Sequence, residues 1–233
     1  MNITRVAAIF EKDFKEFMRN MMLFTSVLIP VVLAAFFGRM DGGEGGVPDE
    51  IVIIIVGVVF SAVTFSSMMT MMAEENEKDT LRGLLQSPAS IIDIIAGKSA
   101  VITLMTIISL VASIMLVEAD GFWSMENIAG LILLGIFFLN LGIGIGLLVK
   151  SVATTSVYLI PIMFLFGFTP YIEFLVTDEG HIARQIAECF PLYQNLYILN
   201  GDGGAAEYLI LLAWVAVSFG IVIWAFNRRK SDD

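Results

Sequence analysis

The chain has 233 residues, of which 58% are hydrophobic and 15% charged, and its formal net charge is −10 at pH 7. With a mean hydropathy of +0.86 it is too apolar for a soluble domain of this length, which needs far more polar surface; it reads as one membrane domain over residues 1–233 with no separate soluble domain. Cys189 and His181 are the only residues of their kinds, which excludes an internal disulfide and a multi-ligand His/Cys zinc site, and no cofactor is expected.

Residues 1–20 come first. Ile3, Val6, Ala7, Phe10, Phe14, Phe17 and Met18 recur at helical spacing, with Arg5, Glu11, Lys12, Asp13, Lys15, Glu16 and Arg19 at the other positions. The pattern predicts an amphipathic interfacial helix on the inner leaflet, its basic side chains suited to anionic membrane lipid. The same face also suits packing on soluble protein. The first apolar run starts near Met21, behind this charged segment; a cleavable signal would place a short basic region before a shorter apolar run, so the first run is expected to be a retained span.

Six apolar runs follow, roughly 21–37, 51–72, 99–117, 128–149, 152–168 and 205–226. About 20 helical residues cross the hydrocarbon core, so the first and fifth runs are expected to borrow turns from their flanks. Orientation comes from Lys and Arg. Arg5, Lys12, Lys15, Arg19, Lys78, Arg82, Lys98, Lys150, Arg228, Arg229 and Lys230 fall on one side, and only Arg39 and Arg184 on the other. The positive-inside rule then puts both termini in the cytoplasm of a multi-pass protein of the cell membrane. Acidic residues such as Asp41, Glu44, Glu118, Glu173 and Asp202 fall outside, either as ordinary solvation of external loops or as a cation-attracting vestibule.

The second run carries Ser61, Thr64, Ser66, Ser67 and Thr70, then Met68, Met69, Met71 and Met72, and the fourth carries Asn140 followed by Gly142, Gly144 and Gly146. Ser61, Thr64, Met68 and Asn140 are candidates for a substrate path, because hydroxyls and shape-adaptable methionines suit varied apolar cargo. Helix packing, with hydroxyls bonded to their own backbone, is the other reading. Gly142 and Gly146 form a Gly-x-x-x-Gly pair, read as close helix packing or a bending point. No ionisable residue lies inside the second, third or fourth run, which argues against a proton-coupled secondary transporter and against an intramembrane aspartyl protease.

Residues 73–98 form a charged cytoplasmic segment between the second and third runs. Leu81, Leu84 and Leu85 stand at i, i+3 and i+4, giving a short helix one apolar strip, and Ser87-Pro88 ends it. Ser90 and Asp93 form a capping box that opens the next helix. Such a strip suits a groove on a partner, or a surface turn lying on lipid. Gly97-Lys98-Ser99 imitates the end of a phosphate-binding loop, but Ile92 stands where its first glycine belongs, so ATP is expected on another chain. The external segment, 169–204, spaces Ile182, Ile186, Cys189 and Phe190 helically until Pro191 breaks the pattern; the helix would either dip into the outer leaflet or lie flat on it.

The stretch EENEKDTLRGLLQSPASIIDIIAGK resembles the characteristic segment of ABC-type exporter permeases of the type-2 class, with its Glu-rich start, Thr-Leu, Leu-Leu, Ser-Pro and Gly-Lys. PIMFLFGFTPYIEFL (161–175) resembles the family's fifth span and external turn, often with a Gly-x-x-Pro, and FPLYQNLYILNG (190–201) resembles its external helix. Phe166 replaces a common Ser, and Asn200 stands near a common Arg. The resemblance implies an all-α integral membrane fold: six transmembrane helices, the amphipathic helix and a short cytoplasmic coupling helix. It implies two paired permease subunits, as homodimer or heterodimer, with an ATP-binding ABC subunit docked on each through Asp79, Thr80, Leu81, Arg82, Leu84 and Leu85. ATP hydrolysis would belong to that partner, so no catalytic residue is expected here, and no nucleic acid among the partners. The expected activity is export of an amphiphilic drug, antibiotic or peptide. A cation (sodium) exporter subunit and a non-transporting immunity or sensor protein are the alternatives.

Overall fold

A computed structural model describes residues 2–40, 47–78, 90–119, 121–176 and 181–232. Among these residues every regular element is helical. Helix α1 is Ile3–Arg19 and α2 is Met21–Met40; α3 is Asp49–Glu77; α4 is Ile91–Val117 and α5 is Met125–Leu148. Helix α6, Val152–Gly167, meets the short α7, Thr169–Leu175, at an angle of 61°. Two short helices, α8 (Ile182–Glu188) and α9 (Pro191–Leu199), lead to α10 (Ala205–Asp232).

Five helices are long and apolar enough to cross a membrane, or six if the bent α6–α7 pair counts as one span. Each coincides with an apolar run, and the short fifth run does gain length through its bend. Pro170 sits in the first turn after that bend, where it supplies no N–H to continue the helix.

Local chemistry sets the helix ends. The Asn2 side chain caps α1 by accepting from the Thr4 N–H at 3.0 Å. Ser90 and Asp93 form the expected capping box at the start of α4. Ser124 caps α5 by accepting from the Asn127 N–H. Pro191 ends one pattern and opens the next helix, standing in the first turn of α9.

Helix α3 is the axis of the bundle: 89% of its most apolar window is buried, against 22% for α2 and 17% for α10. Its middle widens into a π-helical stretch, Val59–Phe65. In lipid, apolar helices gain little from burial against one another, and close packing through small residues replaces it. A Cβ on Gly142 of α5 would fall 2.8 Å from the Met68 Cβ, and one on Gly146 would fall 2.7 Å from the Met72 Cβ. The Gly-x-x-x-Gly pair therefore seats α5 on α3. Gly144, between them, faces Ile221 of α10. At the other end, the Gly57 and Gly167 backbones touch, bringing α3 against the end of α6.

Candidate functional site at the C-terminal end of helix α3

Successive residues of an α-helix point about 100° apart, so four in a row can address four neighbours. The last turn of α3, Glu74-Glu75-Asn76-Glu77, does so. The Glu74 carboxylate accepts from the Asn20 side-chain amide at 2.7 Å, at the junction of α1 and α2. Glu75 lies 2.8 Å from the Lys98 ammonium on α4. The Asn76 amide donates to the Gly146 and Val149 carbonyls at 3.0 and 2.8 Å, closing the C-terminus of α5, and its oxygen accepts from Arg229 of α10. Glu77 accepts from the Val152 N–H at 2.8 Å, at the start of α6. One turn thus ties together every long helix of the bundle, immediately before segment 79–89.

The Lys98 contact is the most buried part of this turn. Lys98 is 2% exposed, Asp13 0% and Glu75 5%. Lys98 pairs with Asp13 at 3.2 Å as well as with Glu75, and Lys12 approaches Asp13 at 3.3 Å and Glu75 at 3.9 Å. Two cations and two carboxylates balance, which a group withdrawn from water requires. Burial lowers the Lys12 affinity for its proton, but Asp13 and Glu75 more than offset this and leave the ammonium raised above its ordinary pKa. Around the rim, Lys78 bridges Glu16 at 3.8 Å and Glu74 at 3.9 Å. Helix α1 is held on α4 at its start and along its length: the Asn2 N–H donates to Asp93 at 2.9 Å, and Gly97 lets the α1 backbone approach α4, where a Cβ would meet Ile9 at 2.6 Å.

Gly97, Lys98 and Ser99 thus lie inside a helix, with Lys98 directed at carboxylates. The six docking residues, Asp79, Thr80, Leu81, Arg82, Leu84 and Leu85, lie outside the described residues.

The four path candidates face four different helices. The Ser61 hydroxyl donates to the Gly57 carbonyl at 2.6 Å, beside Gly167 of α6. Thr64 meets the Thr106 hydroxyl of α4 at 2.8 Å, Met68 packs on Gly142 of α5, and the Asn140 amide donates to the Ser218 hydroxyl of α10 at 3.2 Å. Thr64 lines a cavity between α3, α4 and α5 that the other three do not line. A separate cavity of about 440 Å³ between α2, α3 and α6 is lined by Thr25, Ser26, Ser66, Ser67 and Thr70 together with methionines. Ser26 and Ser67 share a hydrogen bond there at 3.1 Å, while the buried Thr70 hydroxyl has no hydrogen-bond partner among the described residues.

At the opposite end of the bundle, Phe166 is the hub of an aromatic cluster with Phe137, Phe190 and Trp214, ring centroids 5.1 to 5.4 Å away. The Trp214 indole N–H donates to the Cys189 carbonyl at 2.8 Å. Glu173 accepts from the Tyr193 hydroxyl and pairs with Arg184 at 3.6 Å. Burial first, then the Glu173 hydrogen bond, push the Tyr193 phenol above its ordinary pKa.

Residues 43–226 match the family model described as ABC-2 family transporter protein. No curated protein matches the chain. A bundle of apolar helices gathered on one charged turn, with the family match spanning most of its length, makes this chain a member of the ABC-2 family of transporter proteins, a multi-pass transmembrane component of an ABC transporter.

Proposed function

We propose that the chain is the membrane subunit of an ATP-driven exporter. It pairs with a second permease subunit, identical or different, and an ATP-binding subunit docks on Asp79, Thr80, Leu81, Arg82, Leu84 and Leu85. Both termini lie in the cytoplasm, residues 1–20 rest on the inner leaflet, 73–98 form the coupling segment and 169–204 the external segment. The observation that carries this reading is the turn Glu74–Glu77 (residues 74–77), which addresses α1/α2, α4, α5 with α10, and α6 through four consecutive side chains. A push on 79–85 would reach all the spans as one rigid-body displacement, the kind of motion that switches access. The hydroxyl-lined cavity between α2, α3 and α6 supports an amphiphilic drug, antibiotic or peptide as cargo, since it offers hydrogen-bond groups within apolar walls. Ser61, Thr64, Met68 and Asn140 would then act by setting helix positions around the path.

The test has two arms. Purification from native membranes in mild detergent should recover an ATPase subunit bearing a phosphate-binding loop at equal stoichiometry. Leu84→Glu should weaken that association by about 2 kcal/mol, roughly thirtyfold, the scale for losing a buried apolar anchor, and uncouple ATP hydrolysis from transport. Unchanged transport by Leu84→Glu would remove the docking role.

A further inference from the structure

Helices α4 and α5 are neighbours in sequence but pack mainly on other helices, α4 on α2 and α1, α5 on α10 and α3. Between them lies a second cavity, about 340 Å³, floored by the π-helical stretch of α3 through Phe60 and Thr64. Its walls are almost wholly apolar. Of the threonines that line it, Thr64 and Thr106 share a hydrogen bond, and Thr106 also donates to the Ile102 carbonyl at 2.8 Å, while Thr103 stands beside them on α4. Gly135 keeps one wall open, since a Cβ there would come within 3.2 Å of the Phe60 ring. Ile107 and Ile132, 52% and 58% exposed, stand at its side opening. In a bundle that crosses a membrane, that opening faces hydrocarbon.

The dimensions select an occupant. Along α5 the lining runs from Ile128 to Leu139, a rise of about 16 Å, close to half of the ~30 Å hydrocarbon core. A helix about 10 Å across would occupy well over 1,000 Å³ over that length, so the cavity does not enclose a whole span, whereas a single acyl chain is slim enough to enter it. Trp123, in the connection between α4 and α5, lines the end that the proposed topology places outside, the level at which indole rings favour the headgroup boundary. We propose that this cavity is a binding site for one acyl chain of a phospholipid from the outer leaflet, entering sideways between α4 and α5. The site is distinct from the hydroxyl-lined cavity, and it rests on the membrane-spanning reading and its topology.

The test uses phosphatidylethanolamine carrying a diazirine midway along one acyl chain, incorporated into nanodiscs with the full chain and irradiated, with adducts mapped by peptide mass. Adducts should concentrate several-fold on 103–111 and 128–139 over Leu209, Leu212 and Val217, which are exposed on α10. Gly135→Leu, which fills the cavity, and Ile107→Trp, which blocks its exposed opening without touching the core, should each return labelling to the α10 level. Equal labelling of cavity and α10, or labelling unchanged in both variants, would overturn the acyl-chain site while leaving the membrane reading intact. No adducts on any span, α10 included, would overturn the membrane reading and this proposal with it.

Discussion

Lys98 shows how a single charge organises one end of the bundle. Its ammonium is shared by Asp13 of α1 and Glu75 of α3, so removing it leaves two buried carboxylates without the cation they share. Breaking one side of such a group costs about 3–5 kcal/mol. Lys98→Met should therefore lower the thermal midpoint strongly, read by tryptophan fluorescence of the detergent-solubilised protein. Adding Asp13→Asn and Glu75→Gln to it should recover much of the loss, because the uncompensated charge disappears. A loss that persists in the triple variant would mean that packing of the lysine stem, rather than charge balance, holds the site. Spacing assigned Asp13 to the polar positions of α1, whereas the structure buries it completely, on the stripe of Val6, Phe10 and Phe17, where a carboxylate needs a cation. Which cation it meets was not legible, because Lys98 lies 85 positions away and nothing local ties α1 to α4.

At the scale of elements, sequence and structure agree on what hydropathy and local hydrogen bonding control. The runs, the Ser90–Asp93 box and the break at Pro191 all have counterparts in the helices. Helices that are apolar all round carry no stripe to say which face meets which neighbour, so the divergence of Ser61, Thr64, Met68 and Asn140 toward four partners, and both cavities, had no sequence signal. Glycine spacing is the exception, since the Gly142/Gly146 pair did announce a close contact. Gly146→Leu should destabilise by about 3 kcal/mol, the upper range for overpacking, because Met69 backbone atoms lie 3.1 to 3.2 Å from where its Cβ would stand. Gly220→Ala on α10, where nothing lies within 4 Å, should instead stabilise by roughly 0.5–1 kcal/mol. Unfolding midpoints of the two variants, measured side by side, check both signs; a neutral Gly146→Leu would mean α5 is free to move away from α3.

For the whole molecule, the proposed orientation places the loop between α2 and α3 outside and both ends of the chain inside. A tag at Gly43 should react with an impermeant reagent on intact cells, and a tag after Asp233 should react only once the membrane is opened; the opposite pattern would invert the molecule and move segment 79–89 away from any cytoplasmic ATPase. The turn at 74–77 also bears on how the protein is made. Spans enter the membrane in order of synthesis, and α3 arrives before α4, α5, α6 and α10. Glu75 waits for Lys98, Glu77 for Val152, and Asn76 for an arginine 153 positions further on. Until then these contacts cannot form, so insertion can finish while assembly has not. A chain stopped before its last helix would carry Asn76 without Arg229, leaving the turn open as a local mark by which quality control could tell an unfinished permease from a finished one.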